Sequence, residues 1–307
     1  MAIWNSPVAQ EIRTSILDGT FRYCDLVACP YFLSGSLPLQ KDIISGPYKK
    51  IIHESRTKLD TMKVWLAFDP RCNLRCISCR TNHVRLSENE KENIKCFMEL
   101  VKQDLSFITA IGMSGNGEPF VSPVISEFLF NLKRADYPNL KIYLLTNGQM
   151  LNHTCWEKMN DKQGAIVSVQ VSIDAATRET YEKIRLGGSF DTLMENLHFL
   201  RELRSRVAIR EFIISFVVNA LNFHEMKAFV KMGFELGCDQ VCFSFMSNWG
   251  TFSDEEYRDM AVHHPEHSKH QALKEILADS LFDDHRVFMH NLSGLRTLPI
   301  MRDSMFV

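Results

Sequence analysis

Three cysteines, Cys72, Cys76 and Cys79, lie close together in the spacing C-x3-C-x2-C. An apolar run at residues 64–68 precedes them and predicts a short buried strand, which the following Asp-Pro pair ends. Three thiolates so close in sequence can bind one soft metal centre without long-range folding. A four-iron, four-sulfur (4Fe-4S) cluster normally takes four cysteines, so three would leave one iron open to a small molecule.

Two other uses of these cysteines remain open from the motif alone. A structural zinc could take the three thiolates together with His83, which follows Cys79 closely, as a Cys3His site. Alternatively, the cysteines are ordinary free thiols of a chain in a reducing compartment. Short metal motifs arise by chance, so the rest of the chain has to separate these possibilities.

The composition excludes several classes of protein. The chain has 307 residues and 45% hydrophobic residues, enough for one large domain or for one domain plus an appendage. A net charge of -2 gives no electrostatic basis for binding nucleic acid or an anionic membrane, and no apolar run approaches the length of a membrane span. Nine cysteines, an odd number, do not resemble a secreted disulfide framework, so we expect a reducing cytoplasm.

Strand-like apolar runs alternate with helical segments through most of the chain. The predicted strands cover residues 64–68, 105–113, 140–145, 165–173, 210–218 and 240–245. The first helix between them should start at a capping box made by Ser87 and Glu90. The alternation predicts an α/β fold of parallel βα units with right-handed crossovers. Six units are too few for a closed eight-stranded barrel, so we expect an open, partial (β/α)6 barrel.

Polar residues and glycines follow these strands at the edge where parallel sheets bind their ligands. They are Gly115, Asn116, Gly117 and Glu118 after the second strand, Thr146 and Asn147 after the third, Ser172 ending the fourth, Arg185 in the helical segment after it, Asn219 ending the fifth and Met246 after the sixth. Glycines let the backbone approach a ligand, and a carboxylate can accept a hydrogen bond from an ammonium group. Each of these patterns alone also fits an ordinary turn or a helix cap.

Taken together, the motifs resemble the radical S-adenosylmethionine (radical SAM) superfamily. They arrive in that family's order: the cysteine loop, the turn SGNGEPF, then TNG, VSIDA, an arginine and two further strands. The sequence departs from the family at Asn116, which replaces the first glycine of a GGE motif. It also departs at Ser78, where the family often has an aromatic residue that packs near the adenine.

The resemblance implies a partial barrel of the radical SAM type with a 4Fe-4S cluster on the three cysteines. The open iron would bind the methionyl amine and carboxylate of SAM. Glu118 would accept from the SAM amino group, and Arg185 would pair with the SAM carboxylate. Ser172 would supply a hydroxyl contact, Asn219 would touch the ribose, and Met246 would cover the adenine.

The resemblance also implies an enzyme. A reduced cluster would pass an electron to SAM, and homolysis would give methionine and a 5'-deoxyadenosyl radical that takes hydrogen from a substrate. An external electron donor such as flavodoxin or ferredoxin is implied, and the substrate would be a peptide or protein, a carbohydrate or another small molecule. Two other hypotheses stay open: a non-catalytic fragment of a larger enzyme that binds cluster and SAM, and a zinc-stabilised binding module.

The remaining segments have weaker signals. Residues 1–38, which include Cys24 and Cys29, resemble the closing segment of a SPASM domain, an auxiliary-cluster module. The cysteines that normally precede this segment are missing, because the chain begins at the tail of the module, and a helical clasp with two ordinary thiols fits equally well. Residues 39–63 are predicted as a linker, 64–250 as the radical SAM core and 251–307 as a C-terminal helical tail.

Overall fold

The computed structural model describes residues 6–26, 32, 37, 41, 61–113, 116–159 and 164–295. The chain divides into two compact units, Met1–Met62 and Lys63–Val307. In the first unit, helix α1 spans Pro7–Leu17. It starts at the N-cap Ser6, whose hydroxyl accepts a hydrogen bond from the Ala9 amide at 3.3 Å. Cys29 and most of the predicted linker lie outside the described residues.

A seven-stranded sheet is the central feature of the fold, and its strands follow one another in chain order. The strands are β1 Met62–Leu66, β2 Ile108–Met113, β3 Lys141–Thr146, β4 Ile166–Ser172, β5 Glu211–Val218, β6 Gln240–Phe245 and β7 Val287–Phe288. Each neighbouring pair from β2 to β7 is parallel. The carboxyl ends of these strands therefore meet at one edge of the sheet.

Helices connect the strands, as the alternating pattern predicts. They are α2 Glu88–Gln103, α3 Pro123–Asn131, α4 His153–Glu157, α5 Arg178–Ile184, α6 Phe190–Ser205, α7 Met226–Glu235, α8 Asp254–Met260 and α9 His270–Leu277. The capping box predicted for α2 is present: the Glu90 amide donates to the Ser87 hydroxyl at 3.3 Å, and the Ser87 amide donates to the Glu90 carboxylate at 2.8 Å. In the described part of the chain, no helix has both the length and the hydropathy of a membrane span.

The predicted α/β partial barrel is confirmed, with one strand more than predicted. In the described sheet, β1 and β7 stand at the two ends of the strand order, so the barrel is open. The sequence analysis missed β7 because a two-residue strand carries no periodic pattern. It also began the second strand too early, since Leu105–Phe107 form a 3-10 turn before β2.

The core lies between the sheet and its helices. Side chains on both faces of the central strands are buried, which explains why these strands appear in the sequence as continuous apolar runs. The Phe216 ring in β5 lies 4.8 Å from the Phe229 ring of α7 and 5.4 Å from the Phe243 ring of β6, between ring centroids. Aromatic pairs of this kind contribute about 0.5–1.5 kcal/mol beyond their burial. This packing gives the strand ends a rigid base.

Candidate functional site

The carboxyl ends of the strands surround a cavity of about 740 Å³. Its lining residues are Ala67, Cys72, Cys76, Ser78, Cys79, Arg80, Asn116, Gly117, Glu118, Leu145, Thr146, Asn147, Ser172, Asp174, Arg185, Val217, Met246, Ser247 and Trp249. The three cysteines and nearly all of the predicted strand-end residues therefore meet at one place. They come from distant parts of the chain, and the sheet brings them together.

Of the two remaining predicted site residues, one is not described by the structure and the other lies outside this lining. Gly115 lies outside the described residues. Asn219 is 1% exposed, and its side chain bonds within its own turn: Nδ2 donates to the Val217 carbonyl at 3.3 Å, and Oδ1 accepts from the Leu221 amide at 2.9 Å. Its contact with a ribose stays a prediction.

The cysteine loop is hydrogen bonded to the end of α5 and to the residues that follow it. The Arg75 amide donates to the Leu186 carbonyl at 2.9 Å, and the Ile77 amide donates to the Ile184 carbonyl at 3.0 Å. These two bonds on either side of Cys76 hold the middle of the loop in an extended path. Its third cysteine ends a tight turn, since the Cys79 amide donates to the Cys76 carbonyl at 2.9 Å.

Gly117 follows β2 and lets the backbone after this strand approach the start of the cysteine loop closely. A Cβ atom at Gly117 would lie 2.3 Å from the Asp69 carbonyl oxygen and 2.6 Å from the Arg71 carbonyl oxygen. The neighbouring Glu118 amide donates to that Arg71 carbonyl at 2.9 Å. Only a residue without a side chain permits this approach, which explains the glycine.

A buried carboxylate anchors the start of the loop. Asp69 accepts hydrogen bonds from Arg71 Nε at 2.9 Å and from the Ser122 hydroxyl at the start of α3. Burial tends to raise the pKa of Asp69, but the hydrogen bonds from Arg71 and Ser122 outweigh it and hold the pKa below its usual range. The sequence analysis treated Asp69 only as a strand breaker, because nothing local connects it to Ser122.

Each cysteine sulfur faces a side-chain nitrogen that donates to it. These donors are Asn147 Nδ2 for Cys72 at 3.6 Å, Arg185 Nη1 for Cys76 at 3.4 Å and Arg80 Nη2 for Cys79 at 3.4 Å. Hydrogen bonds to ligand sulfur stabilise the thiolate that binds metal and tune the metal's electronic properties. Arg80 was missed by the sequence analysis, although its position directly after the third cysteine was a usable signal.

The donor set fits a cluster better than a single zinc ion. The ligands of one zinc lie within about 4 Å of one another, because a Zn–S bond is about 2.3 Å long. Among the described residues, no three His, Cys, Asp or Glu side chains are placed to hold one metal ion. His83, the candidate fourth zinc ligand, has its Nδ1 3.2 Å from the Cys72 carbonyl oxygen. The three thiols line one cavity, as expected for the ligands of an iron-sulfur cluster with one iron open to that cavity.

Glu118 is a buried acid at the cavity wall. It is 2% exposed, and its carboxylate accepts from the Thr146 hydroxyl at 2.6 Å and from the Asn147 amide at 2.8 Å. Burial nevertheless raises the pKa of Glu118 to about 7. A cationic ligand in the cavity would favour its ionised form.

Arg185 and Asp174 form a buried ion pair on the other side of the cysteine loop. Arg185 Nη2 lies 2.7 Å from Asp174 Oδ2, and the Val217 amide donates to Asp174 Oδ1 at 2.7 Å. Burial tends to lower the pKa of Arg185, but the Asp174 carboxylate and the Cys76 sulfur outweigh it, so the guanidinium stays charged. Asp174 has φ of 66°, a left-handed conformation that a residue other than glycine rarely adopts.

The opposite wall of the cavity is less polar. The Ser172 hydroxyl accepts from the Ser215 hydroxyl at 3.3 Å, and Met246 is buried after β6. Trp249, at the rim, is 80% exposed. Asn248 stabilises the loop that contains Trp249, because its Oδ1 accepts a hydrogen bond from the Gly250 amide at 3.0 Å. No sequence signal distinguishes Trp249 from any other surface tryptophan, and the sequence analysis missed it.

Comparison with known proteins finds relatives of this chain. A family model described as the Radical SAM superfamily matches residues 67–233. A probable GTP 3',8-cyclase of Methanococcus maripaludis is 29% identical over 133 residues, which are 43% of this chain and 43% of that protein. A probable GTP 3',8-cyclase of Saccharolobus islandicus is 26% identical over 176 residues, 55% of this chain and 52% of that protein. The chain thus spans about half the length of the curated relatives it matches.

Solved structures share the fold at low sequence identity. Streptococcus suis SuiB bound to S-adenosylmethionine has a TM-score of 0.51 and 14% identity, covering 94% of this chain and 61% of that chain. SuiB bound to the precursor peptide SuiA has a TM-score of 0.50 and 11% identity, covering 92% of this chain and 61% of that chain. At such identities the likeness is one of fold alone.

Proposed function

The chain belongs to the radical SAM superfamily, whose model matches residues 67–233 of its 307 residues, and we propose that it is a SAM-cleaving enzyme. The observation that carries this proposal is the convergence of three cysteine thiols on one cavity with the buried acid Glu118 and the buried guanidinium of Arg185. The family's cofactors are a 4Fe-4S cluster and SAM. The cavity holds side chains suited to both.

The proposed roles follow from the positions around the cavity. Cys72, Cys76 and Cys79 would each bind one iron and leave the fourth iron facing the cavity. Glu118 would accept from the SAM ammonium group, and Arg185 offers the positive charge that suits its carboxylate, with the buried, unpartnered Nε still free to donate among the described residues. Ser172, Met246 and the strand-end residues Asn116, Thr146 and Asn147 would complete the SAM site.

When bound, the cluster and SAM would supply the chemistry, which is one-electron cleavage of SAM to a radical that can take hydrogen from a substrate. The protein supplies orientation and the exclusion of water. An external one-electron donor such as flavodoxin or ferredoxin would provide the electron. We propose that the enzyme works in a reducing cytoplasm, because none of the eight described cysteines forms a disulfide.

A peptide, protein or carbohydrate is the proposed substrate class. The cavity is open at its rim, where Trp249 offers an exposed aromatic face to an incoming chain or sugar ring. SuiB, which shares the fold, is solved with a precursor peptide. The substrate would enter from this side and meet the radical at the SAM site.

A nucleotide substrate is the second candidate, because the curated relatives are probable GTP 3',8-cyclases. A triphosphate needs several free cationic donors. The described cavity lining holds two arginines, and both bond protein atoms: Arg80 donates to the Pro70 and Asn116 carbonyls at 2.5 and 3.0 Å, and Arg185 pairs with Asp174. This arrangement favours a substrate without a triphosphate, such as a peptide, a protein or a carbohydrate.

Anaerobic reconstitution followed by iron and sulfide counting and an assay for 5'-deoxyadenosine tests the proposal. Dithionite-reduced protein should contain about four irons and should cleave SAM. Replacing Cys72, Cys76 and Cys79 together by Ala should abolish both the cluster absorbance and cleavage. A colourless zinc protein would support the binding module, and a cluster without SAM cleavage would support the non-catalytic fragment. Adding GTP, and looking for faster cleavage or a new product, tests the second candidate.

A further inference from the structure

A buried guanidinium lies within hydrogen-bonding distance of one of the three cysteine sulfurs. Arg185 is 9% exposed, and its Nη1 donates to the Cys76 sulfur at 3.4 Å. Its Nη2 contacts Asp174 at 2.7 Å. The arginine therefore brings a fixed positive charge to a sulfur that the cluster needs as a ligand.

The position of this guanidinium is set by the surrounding backbone. Asp174 is held by the Val217 amide, so the carboxylate that orients Arg185 is itself fixed. The helix that leads to Arg185, α5, is fixed at its start by Glu225, which accepts from the Thr177 hydroxyl at 2.6 Å. Arg185 thus loses little further side-chain entropy when its hydrogen bond to the sulfur forms.

Arg80 offers the same kind of bond to Cys79, but in a different environment. Its Nη2 lies 3.4 Å from the Cys79 sulfur, and Cys79 is exposed. Solvent screens a charge interaction there, whereas the surroundings of Cys76 and Arg185 are buried and screen it less. The stronger influence on the cluster is therefore expected from Arg185.

We propose that Arg185 raises the reduction potential of the cluster through its hydrogen bond to Cys76, an effect that the counter-charge of Asp174 partly offsets. This inference rests on the proposed function, because it needs a cluster on the three cysteines. Reduction transfers one electron from an external one-electron donor to the cluster, and the cluster with its thiolates becomes more negative by one charge. A guanidinium at a ligand sulfur stabilises that added charge more than it stabilises the oxidised state. The role is separate from any contact that Arg185 makes with SAM.

A redox titration without SAM tests the inference. Anaerobically loaded protein is titrated with dithionite and mediators, and the reduced cluster is measured by electron paramagnetic resonance. The variants are Arg185→Met, which removes the charge, and Asp174→Asn, which keeps the guanidinium and removes its counter-charge. Arg204→Met is the matched control, because Arg204 pairs with Asp239 at 2.7 Å but does not line the cavity.

The expected shifts have opposite signs. In Arg185→Met, the ratio of reduced to oxidised cluster at a fixed potential should fall about tenfold, which is about 59 mV for a one-electron couple. In Asp174→Asn, the potential should rise, because an anion near the cluster is lost. Arg204→Met should match the wild type. A purely structural role for Arg185 would not produce this pattern of signs.

Several outcomes would overturn the inference. Arg185→Met protein with a full iron content and the wild-type potential would do so, as would equal shifts in Arg185→Met and Arg204→Met. If the Arg185→Met protein holds no cluster, the test rests on the Asp174→Asn protein. An unchanged or lowered reduction potential in that protein rejects the inference. A wild-type protein without a cluster would reject the proposed function itself, together with this inference, and iron counting reveals that case before any titration.

Discussion

The Glu118 carboxylate accepts a hydrogen bond from the Thr146 hydroxyl at 2.6 Å, which joins the ends of β2 and β3 beside the cysteine loop. The Asn147 amide donates to the other carboxylate oxygen at 2.8 Å. Burial still raises the pKa of Glu118 to about 7. The acid proposed to contact the SAM ammonium therefore titrates near neutral pH.

SAM binding should strengthen as the pH rises through the pKa of Glu118, because the ionised carboxylate attracts an ammonium group. Above this pH, Glu118→Gln should bind SAM roughly tenfold to a hundredfold more weakly, the loss of one charge-assisted contact of about 1.5–3 kcal/mol. Calorimetric titration of cluster-loaded protein at several pH values measures this. The iron content of the variant should equal that of the wild type. If Glu118→Gln showed the same pH dependence of SAM binding as the wild type, that dependence would belong to another group.

The same burial should make folding stability depend on pH. The pKa of Glu118 in the folded chain, about 7, is above the usual value of 4.5 for an exposed Glu. The contribution of the buried Glu118 side chain to the free energy of unfolding is therefore fully present below pH 4.5 and is lost as the pH rises through about 7. Relative to the wild type, Glu118→Gln should gain on the order of 3 kcal/mol in free energy of unfolding across this range. Urea unfolding of cluster-free protein at each pH measures the difference, and parallel pH profiles would contradict the prediction.

Gly117→Ala should prevent the cysteine loop from reaching its position. The added Cβ would meet the backbone oxygens of Asp69 and Arg71, and backbone cannot rotate away as a side chain can. We expect iron content after reconstitution to fall by at least about half while the circular dichroism spectrum stays that of a folded chain. Gly294→Ala is the control, since nothing lies within 4 Å of a Cβ there. Full cluster loading in Gly117→Ala would show that the cysteine loop can shift to make room for the added methyl group.

Glu225→Ala should destabilise the fold strongly. This buried carboxylate accepts from the Ala176 amide at 2.6 Å and from the hydroxyls of Thr177 and Thr180. Its removal leaves these donors unpaired, at a cost of about 2–4 kcal/mol in the free energy of unfolding. Chemical denaturation measures the loss. Glu179→Ala is the comparison, because that glutamate is exposed and its bond to Lys183 should contribute nothing measurable.

A single cluster per chain is expected, because the SPASM-like segment offers only Cys24 and Cys29. Iron analysis should give about four irons per chain, unchanged when both cysteines are replaced by Ser. About eight irons, falling to about four in the double variant, would show a second metal site that includes these cysteines. The assignment of residues 1–38 to a SPASM-like tail stays a prediction until this count is made.

Patterns within a short stretch of chain were predictable from the sequence. The sixth strand has the predicted bounds, Gln240–Phe245, because a mostly apolar stretch follows the helix that ends near Gly237. The capping box of α2 depends on two residues three positions apart, so its signal is entirely local. The cysteine spacing likewise indicates a metal loop without any knowledge of the fold.

Local patterns along the chain indicate which residues can form strands, caps and a cysteine loop, and the order in which these occur. Which of these residues come into contact depends on the three-dimensional fold. Arg185 is 109 positions from Cys76, and Ser122 is 53 positions from Asp69, yet both pairs are hydrogen bonded. The physical reason is that parallel strands with right-handed crossovers collect their carboxyl ends at one edge. The arrangement of the strands in the sheet therefore selects one set of contacting residues from the many sets that local propensity permits equally.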